Sequence, residues 1–363
     1  MADRLFWALI GAVMDDALSD EKLMRAAWEQ ARRGVGRTSP NPAVGAVIVT
    51  RQTDGAGQII GEGWHHRAGQ PHAEIEALRS LADPSLARGA ALYVTLEPCS
   101  THGRTPPCTQ AIIEAGIRRV VIGTLDPNPA HAGRAVELLR QAGVDVRCGV
   151  LEEECRRLNL GFNKWIVTRM PWVIAKAGFS LDGRITRPPE EPRWITNADS
   201  RADTHRMRAE VDAILVGGGT VRDDNPSLTV RGVPGATLQP WRVVVSLSGN
   251  LPPQAALFTD EHRERTLVFQ GQSLRQVLEE LGRREVTSVL IEGGMRVLGE
   301  AFDNQLVDQV CFYVAPLFLG GPKLLTGGIG VGSSAAAPRI INPRYDRFGD
   351  DLRMTGEVEY AAD

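Results

Sequence analysis

Pro98-Cys-Ser-Thr-His-Gly-Arg-Thr-Pro-Pro-Cys108 is the stretch that decides the fold, and it needs Pro71-His-Ala-Glu74 as its partner. The candidate metal ligands in these segments are the histidine His72 and the cysteines Cys99 and Cys108. One imidazole and two thiolates are typical of a catalytic zinc site, in which the fourth position stays open to water. The glutamate that ends the second segment can move a proton between this water and a leaving group. The residues therefore predict hydrolysis assisted by one Zn²⁺ per chain.

Each of these residues also has a simpler explanation. A single histidine is more often a surface residue of a helix, and Cys99 or Cys108 alone would more often be a buried thiol. Their joint order, His-x-Glu and then Pro-Cys, is the signature of zinc deaminases that act on nucleosides and nucleobases. The remaining cysteines, Cys148, Cys155 and Cys311, have no partner at ligand spacing and are expected to be structural.

The residues around the motif predict an α/β domain. The predicted helices are 19–34, 72–81, 109–116 and 132–142, and the predicted strands are 43–50, 59–64, 91–96, 119–123 and 144–150. Ser19 is expected to cap the first helix, and a turn around Asp54-Gly55 is expected to join the first two strands into a hairpin. The pattern indicates an α/β domain of about 145 residues, in which helices pack on a mixed sheet.

A second domain is predicted after a break at Arg169-Met-Pro171, with the boundary at 166–170. The length of 363 residues is typical of two domains. A new strand is predicted at 172–177. Two later strands each lead into a glycine turn and a predicted helix: 213–216 before 217–219, and 288–291 before 293–294. Such units can bind a phosphate through backbone N–H groups, although glycine after a strand is also a simple turn.

Charge and composition favour a small-molecule substrate. The formal net charge of -3 and the pI of about 6.2 lack the basic excess that binds nucleic acid. Five cysteines without a regular framework fit a reducing compartment, so we expect a cytoplasmic protein. The apolar stretch 5–14 is too short to span a membrane, and the acidic residues around it do not suit a signal peptide. Residues 1–18 are expected to be an N-terminal extension without membrane contact.

Further motifs extend the pattern along most of the chain. They are Asn41-Pro-Ala-Val-Gly45, Gly61-Glu-Gly-Trp-His65, Asp126-Pro-Asn-Pro129, Ser180-Leu-Asp-Gly-Arg184, Asp212-Ala-Ile-Leu-Val-Gly217, Asp224-Asn-Pro-Ser-Leu-Thr-Val-Arg231 and Glu292-Gly-Gly294. With the long loop between the two cysteines, they make the sequence resemble closely the family of bifunctional riboflavin-biosynthesis deaminase/reductases. The resemblance implies a cytidine-deaminase-like three-layer domain at 19–166, followed by a dihydrofolate-reductase-like α/β domain at 170–363.

The resemblance also implies two successive reactions. Deamination of 2,5-diamino-6-(5-phosphoribosylamino)pyrimidin-4(3H)-one would give 5-amino-6-(5-phosphoribosylamino)uracil. NADPH would then reduce the ribose of this product to a ribityl chain. The implied partners are this small-molecule substrate and a second copy of the chain, in a homodimer through the reductase domain. No nucleic acid partner is expected.

The roles of individual residues follow from the same resemblance. The residues implied to be catalytic are Glu74 in the deaminase and Lys176 and Asp224 in the reductase. The implied substrate-binding residues are Asn41, His65, Arg104, Asp126, Asn128, Arg208, Leu228, Arg231 and Glu292. The residues implied to contact NADPH are Phe179, Trp194, Thr220, Asp224 and Gly294. Ordinary turn chemistry is the alternative explanation for Asn41 and Asp126, because each precedes a proline.

Three places depart from the family pattern. Thr101 stands where relatives often have histidine, Pro192 replaces a serine, and Ser246-Leu-Ser-Gly-Asn250 replaces an Asp-Ser stretch that borders the dinucleotide. Two other functions stay open: a deaminase of bases in nucleic acid, and a zinc-stabilised protein without catalytic activity. The acidic charge balance and the second domain argue against the first. The matching motifs of the second half argue against the other.

Overall fold

The computed structural model describes residues 20–51, 57–101, 107–129, 131–186, 191 and 194–361. The chain divides into two compact units, Met1–Val167 and Thr168–Asp363. Among the described residues, none of the helices has the length and apolar character needed to cross a membrane. The predicted extension 1–18, the cap at Ser19 and the turn at Asp54-Gly55 lie outside the described residues.

The first unit is a mixed sheet flanked by helices. Its strands are β1 (Gly45–Arg51), β2 (Gly57–Trp64), β3 (Ala91–Leu96), β4 (Arg119–Thr124) and β5 (Asp145–Cys148). Its helices are α1 (20–32), α2 (Ala73–Arg79), α3 (Cys108–Glu114), α4 (Arg134–Gln141), α5 (Glu152–Arg157) and α6 (Leu160–Thr168). The sheet order is β2-β1-β3-β4-β5, with antiparallel pairing at β2-β1-β3 and parallel pairing at β3-β4-β5. The predicted elements and the mixed sheet are confirmed.

Alternation along the strands produces three layers. Ala46 and Ile48 of β1 belong to a core with α2, α3 and α4. Val47 and Val49 belong to a second core with α1 and α5. Because successive strand residues point to opposite faces, strands β1 to β4 supply residues to both cores. The three-layer architecture expected from the sequence is therefore confirmed.

Two glycines allow helices to lie directly on the sheet. A Cβ atom at Gly45 would lie 2.1 Å from the carbonyl oxygen of Ala27 in α1. A Cβ atom at Gly63 would lie 2.3 Å from the backbone nitrogen of Ala77 in α2. Any side chain at either position would push the helix away from its strand. This close approach fixes α2, whose first turn carries Glu74.

The second unit is built on an eight-stranded sheet. Its strands are β6 (Trp172–Ser180), β7 (Ala213–Gly217), β8 (Trp241–Ser246), β9 (Thr266–Gln270), β10 (Ser288–Ile291), β11 (Gln309–Ala315), β12 (Arg339–Phe348) and β13 (Asp351–Glu359). Its helices are α7 (Ala198–Glu210), α8 (Gly218–Asp224), α9 (Ala256–Thr259), α10 (Leu274–Arg283) and α11 (Met295–Asp303). The order is β12-β13-β11-β6-β10-β7-β8-β9.

All pairings from β11 to β9 are parallel. Strand β13 pairs antiparallel with β11 on one side and with β12 on the other. Apolar clusters cover both faces of the sheet, as a parallel sheet requires. The expected dihydrofolate-reductase-like α/β fold is confirmed, including the two predicted strand, glycine turn and helix units. The expectation that Cys148 is structural is wrong, because Cys148 ends the edge strand β5 with an exposed side chain, whereas Cys155 and Cys311 are buried.

A buried carboxylate anchors helix α1 to the first sheet. Asp20 is 2% exposed and accepts a 2.6 Å hydrogen bond from the hydroxyl of Tyr93. It also accepts hydrogen bonds of 2.8 Å from Arg119 and 2.7 Å from Arg147. These partners come from β3, β4 and β5, so one side chain ties the helix to three neighbouring strands. Charge-assisted hydrogen bonds of this kind are among the stronger polar contacts in proteins.

Replacing Asp20 by asparagine should loosen helix α1. We expect the D20N variant to lose about 2 kcal/mol of local stability, since an amide cannot satisfy two guanidinium groups and a hydroxyl. The measurement is amide hydrogen exchange of residues 20–32. D145N is the matched control, because Asp145 contacts the same Arg119 at 3.7 Å with a side chain 73% exposed. Equal protection in both variants would contradict the anchoring role.

Candidate metal centre and reductase site

Three predicted ligands converge at one end of the first sheet. His72 is the N-cap of α2, Cys99 follows β3, and Cys108 is the first residue of α3. Their ligand atoms all lie within 4.8 Å of one another. The Sγ atom of Cys108 lies 3.4 Å from Nδ1 of His72, and the backbone N–H of Cys108 donates a 3.2 Å hydrogen bond to Sγ of Cys99.

The donor set fits zinc. One imidazole nitrogen and two sulfur atoms are the preferred ligands of this ion, and in a tetrahedral site they would be about 3.5 Å apart. The separation of 3.4 Å between Cys108 and His72 agrees with this spacing. Three protein ligands leave room for water, which is the arrangement of a catalytic zinc site rather than a structural one.

The side chains of Cys99 and Cys108 share a hydrogen bond. Their mutual hydrogen bond lowers the pKa of Cys99 to about 4 and raises the pKa of Cys108. The pKa of His72 rises to about 9, chiefly because it hydrogen-bonds Cys99. A bound cation would take the place of the protons on these ligands.

Glu74 is buried beside this cluster, with 2% of its surface exposed. Its Oε2 atom is buried and has no hydrogen-bond partner within the described structure. Burial raises the pKa of Glu74, and the positive charge of His72 opposes this rise. A buried carboxylate oxygen without a partner is costly unless a bound group satisfies it. Its position therefore suits proton transfer at a metal-held substrate.

Asn41 and His65 form a short chain of hydrogen bonds next to the cluster. Nδ1 of His65 lies 3.0 Å from the carbonyl oxygen of Pro71, so this nitrogen carries the proton. Nε2 of His65 then accepts from the amide of Asn41 at 3.1 Å. Burial lowers the pKa of His65, which keeps the ring neutral. Its ring packs edge-on against His72 at 5.3 Å, so both predicted residues lie beside the metal centre.

Asp126 and Asn128 lie on the loop that follows β4. The side chain of Asp126 accepts a 2.9 Å hydrogen bond from the backbone N–H of Asn128, which is the turn chemistry considered as an alternative. Burial raises the pKa of Asp126, while the amide of Asn128 and the charge of His131 lower it. The loop is held by Glu97, a residue that the sequence analysis missed. Arg104 and Pro192 lie outside the described residues.

Three predicted residues of the second unit form one charged cluster. Arg208 binds Glu292 through two hydrogen bonds, of 2.5 and 2.9 Å. Nζ of Lys176 lies 3.9 Å from Glu292 and 5.7 Å from the centre of the Tyr313 ring. Burial lowers the pKa of Lys176. Burial alone would raise the pKa of Glu292, but the charge and hydrogen bonds of Arg208 hold it at about 2.

A second network beneath Lys176 was missed by the sequence analysis. The hydroxyl of Tyr313 donates a 2.6 Å hydrogen bond to Asp203 of α7, and Arg353 of β13 donates another of 2.6 Å to the same carboxylate. Tyr313 is 1% exposed, and it packs against the ammonium group of Lys176. No local motif connects these three residues. Asp203 is 110 positions from Tyr313 and 150 positions from Arg353.

The residues expected at NADPH occupy several places. The hydroxyl of Thr220 would lie 3.3 Å from a Cβ atom at Gly294, so this residue and the glycine turn are neighbours. Phe179 packs edge-on against Phe312, with ring centres 5.9 Å apart. Trp194 is 47% exposed and is covered by the guanidinium of Arg201 at 5.3 Å.

The remaining predicted residues lie on the segment after α8. Asp224 is the exposed last residue of this helix, and Arg231 is exposed and donates a 2.8 Å hydrogen bond to Ser227. Leu228 is 3% exposed and packs in an apolar cluster of the core. The divergent stretch 246–250 lies against the first turn of α8, because a Cβ atom at Gly218 would be 3.0 Å from the Ser246 hydroxyl.

Comparison with known proteins gives the same two-part division. The family model of the cytidine and deoxycytidylate deaminase zinc-binding region matches residues 18–124. The model of the RibD C-terminal domain matches residues 171–352. These two matches contain, respectively, the metal cluster and the charged cluster around Glu292.

Relatives match nearly the whole chain. The riboflavin biosynthesis protein RibD of Aquifex aeolicus is 37% identical, over 92% of this chain and 97% of its own length. RibD of Escherichia coli is 40% identical, over 92% of this chain and 98% of its own length. The crystal structure of a diaminohydroxyphosphoribosylaminopyrimidine deaminase/5-amino-6-(5-phosphoribosylamino)uracil reductase from Thermotoga maritima is 36% identical, with a TM-score of 0.85 and coverage of 95% and 100%. This chain therefore belongs to the RibD family of riboflavin biosynthesis proteins and joins a zinc deaminase domain to a reductase domain.

Proposed function

We propose that the chain carries out two successive steps of riboflavin biosynthesis at the two sites described above. Residues 19–166 would deaminate 2,5-diamino-6-(5-phosphoribosylamino)pyrimidin-4(3H)-one, and residues 170–363 would reduce the ribose of the uracil product with NADPH. The observation that carries the proposal is the cluster of His72, Cys99 and Cys108 beside the partnerless Oε2 atom of Glu74. A reductase domain of the same family follows on the same chain.

In the deaminase, His72, Cys99 and Cys108 would hold zinc, and zinc when bound makes a water molecule nucleophilic near neutral pH. Oε2 of Glu74 takes a proton from the attacking water and returns it to the departing amino group, which leaves as ammonia. Asn41 and neutral His65, next to His72, would orient the pyrimidine, and Asp126 with Asn128 and Arg104 would bind the ribose phosphate.

In the reductase, NADPH when bound would supply the hydride for C1 of the opened ribose. Lys176, Arg208 and Glu292 would hold the sugar at this point, with Leu228 and Arg231 completing the substrate site. The lowered pKa of Lys176 makes its ammonium a better proton donor for the reduction than an exposed lysine. The residues that would face the nucleotide are Phe179, Trp194, Thr220, Asp224 and Gly294.

The setting of these reactions is also a proposal. We expect the protein to work in the cytoplasm, where reduced thiols such as Cys99 and Cys108 can bind zinc. We expect it to form a homodimer through its reductase domain, as the resemblance implied. Among the described residues, the metal cluster and the cluster at Glu292 are each formed by side chains of one chain.

Replacing Glu74 by glutamine should stop deamination without removing the metal. The amide cannot accept and return a proton, so we expect kcat for ammonia release to fall at least about 100-fold in E74Q. Zinc content, measured on the same sample by mass spectrometry, should stay at one ion per chain. The control is E76Q, since Glu76 lies on the same helix and contacts Arg79 at the surface. Normal ammonia release by E74Q would overturn the assignment.

Substitutions in the reductase should leave deamination intact. We expect K176A and D224A each to lower NADPH oxidation at least about 100-fold while ammonia release persists, because the two sites lie in separate compact units. D223A is the matched control for D224A, since Asp223 is the neighbouring exposed carboxylate and pairs with Lys323 at 3.0 Å. Loss of ammonia release in both K176A and D224A would contradict the independence of the sites.

A further inference from the structure

One buried carboxylate connects the metal-binding strand to the loop that carries Asp126 and Asn128. Glu97 is 5% exposed and lies at the end of β3, two residues before the ligand Cys99. Its backbone N–H donates a 2.9 Å hydrogen bond to the carbonyl of Thr124, which continues the pairing of β3 with β4. The backbone of Glu97 is thus fixed by the sheet, and its side chain reaches beyond it.

Three backbone N–H groups bind the side chain of Glu97. Oε2 accepts from Asp126 at 3.2 Å and from Gly133 at 2.9 Å, and Oε1 accepts from Ala135 at 2.9 Å. These groups lie at both ends of the loop between β4 and α4. Gly133, the N-cap of α4, provides no capping side chain, so Glu97 supplies the missing acceptor from another strand.

The interior of this loop depends on the same three hydrogen bonds to Glu97. Between its two held ends, the backbone N–H of Asn128 binds the side chain of Asp126, and the N–H groups of His131 and Ala132 bind the carbonyl of Asn128 at 2.9 and 3.0 Å. The loop is therefore a set of linked turns whose only side-chain support from β3 is the carboxylate of Glu97 among the contacts described. Moving either end would move Asp126 and Asn128 together.

We propose that Glu97 is a positioning residue of the deaminase, which sets the distance between the metal centre and the Asp126–Asn128 loop. The inference rests on the proposed function. Both carboxylate oxygens of Glu97 are bound to backbone N–H groups, so it acts through the backbone of Asp126, while its own backbone leads into Pro98 and Cys99. One short link thus couples the group that holds the metal to the groups that hold the substrate, and alignment of this kind governs binding and rate.

The test is a comparison of full-length E97Q with wild type and with E137Q. Glutamine keeps the size of the side chain, but its amide nitrogen cannot accept a hydrogen bond, so at least one of the three N–H groups loses its acceptor. We expect E97Q to raise KM for the pyrimidine on the order of tenfold, with a smaller effect on kcat. Zinc content should be unchanged, and so should NADPH oxidation when the uracil product is supplied directly. E97D, which keeps the carboxylate on a shorter side chain, should give an intermediate KM.

Glu137 provides the matched control, because it is an exposed acidic residue in the first turn of α4, the helix whose N-terminus Glu97 binds. E137Q removes one charge near α4 without removing an acceptor from the loop, and its KM should equal that of wild type. Equal KM values for E97Q and E137Q would overturn the proposal. Loss of zinc together with activity in E97Q would also overturn it, by assigning Glu97 to the stability of the unit. Absence of deamination in zinc-loaded wild type would instead refute the proposed function.

A double-mutant cycle with D126A separates positioning from an independent effect. If Glu97 acts through the loop, the KM of E97Q/D126A should be about that of D126A alone, because the group being positioned is already missing. Multiplied effects in the double variant would show that Glu97 acts elsewhere and would contradict the proposal.

Discussion

The close packing of helix α2 against strand β2 is the constraint on which the metal centre depends. Gly63 lets the backbone of Ala77 approach the strand, since a Cβ atom there would lie 2.3 Å from its nitrogen. His72 is the N-cap of α2, and Glu74 lies in its first turn. The distance between α2 and the sheet therefore decides how close these two side chains come to the thiols of Cys99 and Cys108. In this position Glu74 is buried, and its burial raises the pKa of its carboxyl group.

Both units place functional polar side chains where strands end. In the first, Cys99 follows β3. In the second, Glu292 follows β10 and is neutralised by Arg208 through paired hydrogen bonds. Ligand sites of α/β sheets commonly lie at the carboxyl ends of strands, because side chains from several strands meet there. In the first unit, the buried Oε2 atom of Glu74 has no hydrogen-bond partner among the described residues. This costs folding free energy, but it leaves the carboxylate available for proton transfer.

The sequence was sufficient for features that rest on local pattern. Most strands of the first sheet and the glycine turns of the second unit are short-range signals, and the structure confirms these elements. It also brings the ligand atoms of the three predicted metal ligands within 4.8 Å of one another. The described hydrogen bonds of the Glu97 side chain, by contrast, are to backbone N–H groups. Almost every residue has such a group, so the sequence does not reveal these partners. The contact of Tyr313 with Asp203 spans 110 positions and follows no motif. The hairpin β12-β13 was not predicted either, since most of β12 is exposed and lacks an apolar alternation.

The central claim is that one chain first deaminates a pyrimidine and then reduces its sugar. The most direct measurement follows ammonia release and NADPH oxidation together, in one reaction with the zinc-loaded protein and the phosphoribosyl diaminopyrimidine. We expect equal final amounts of ammonia and oxidised NADPH, with the oxidation lagging behind. Chelation of zinc should stop both signals, but NADPH oxidation should persist when the uracil product is supplied directly. Ammonia release only from cytidine or RNA, or NADPH oxidation that precedes deamination, would contradict it.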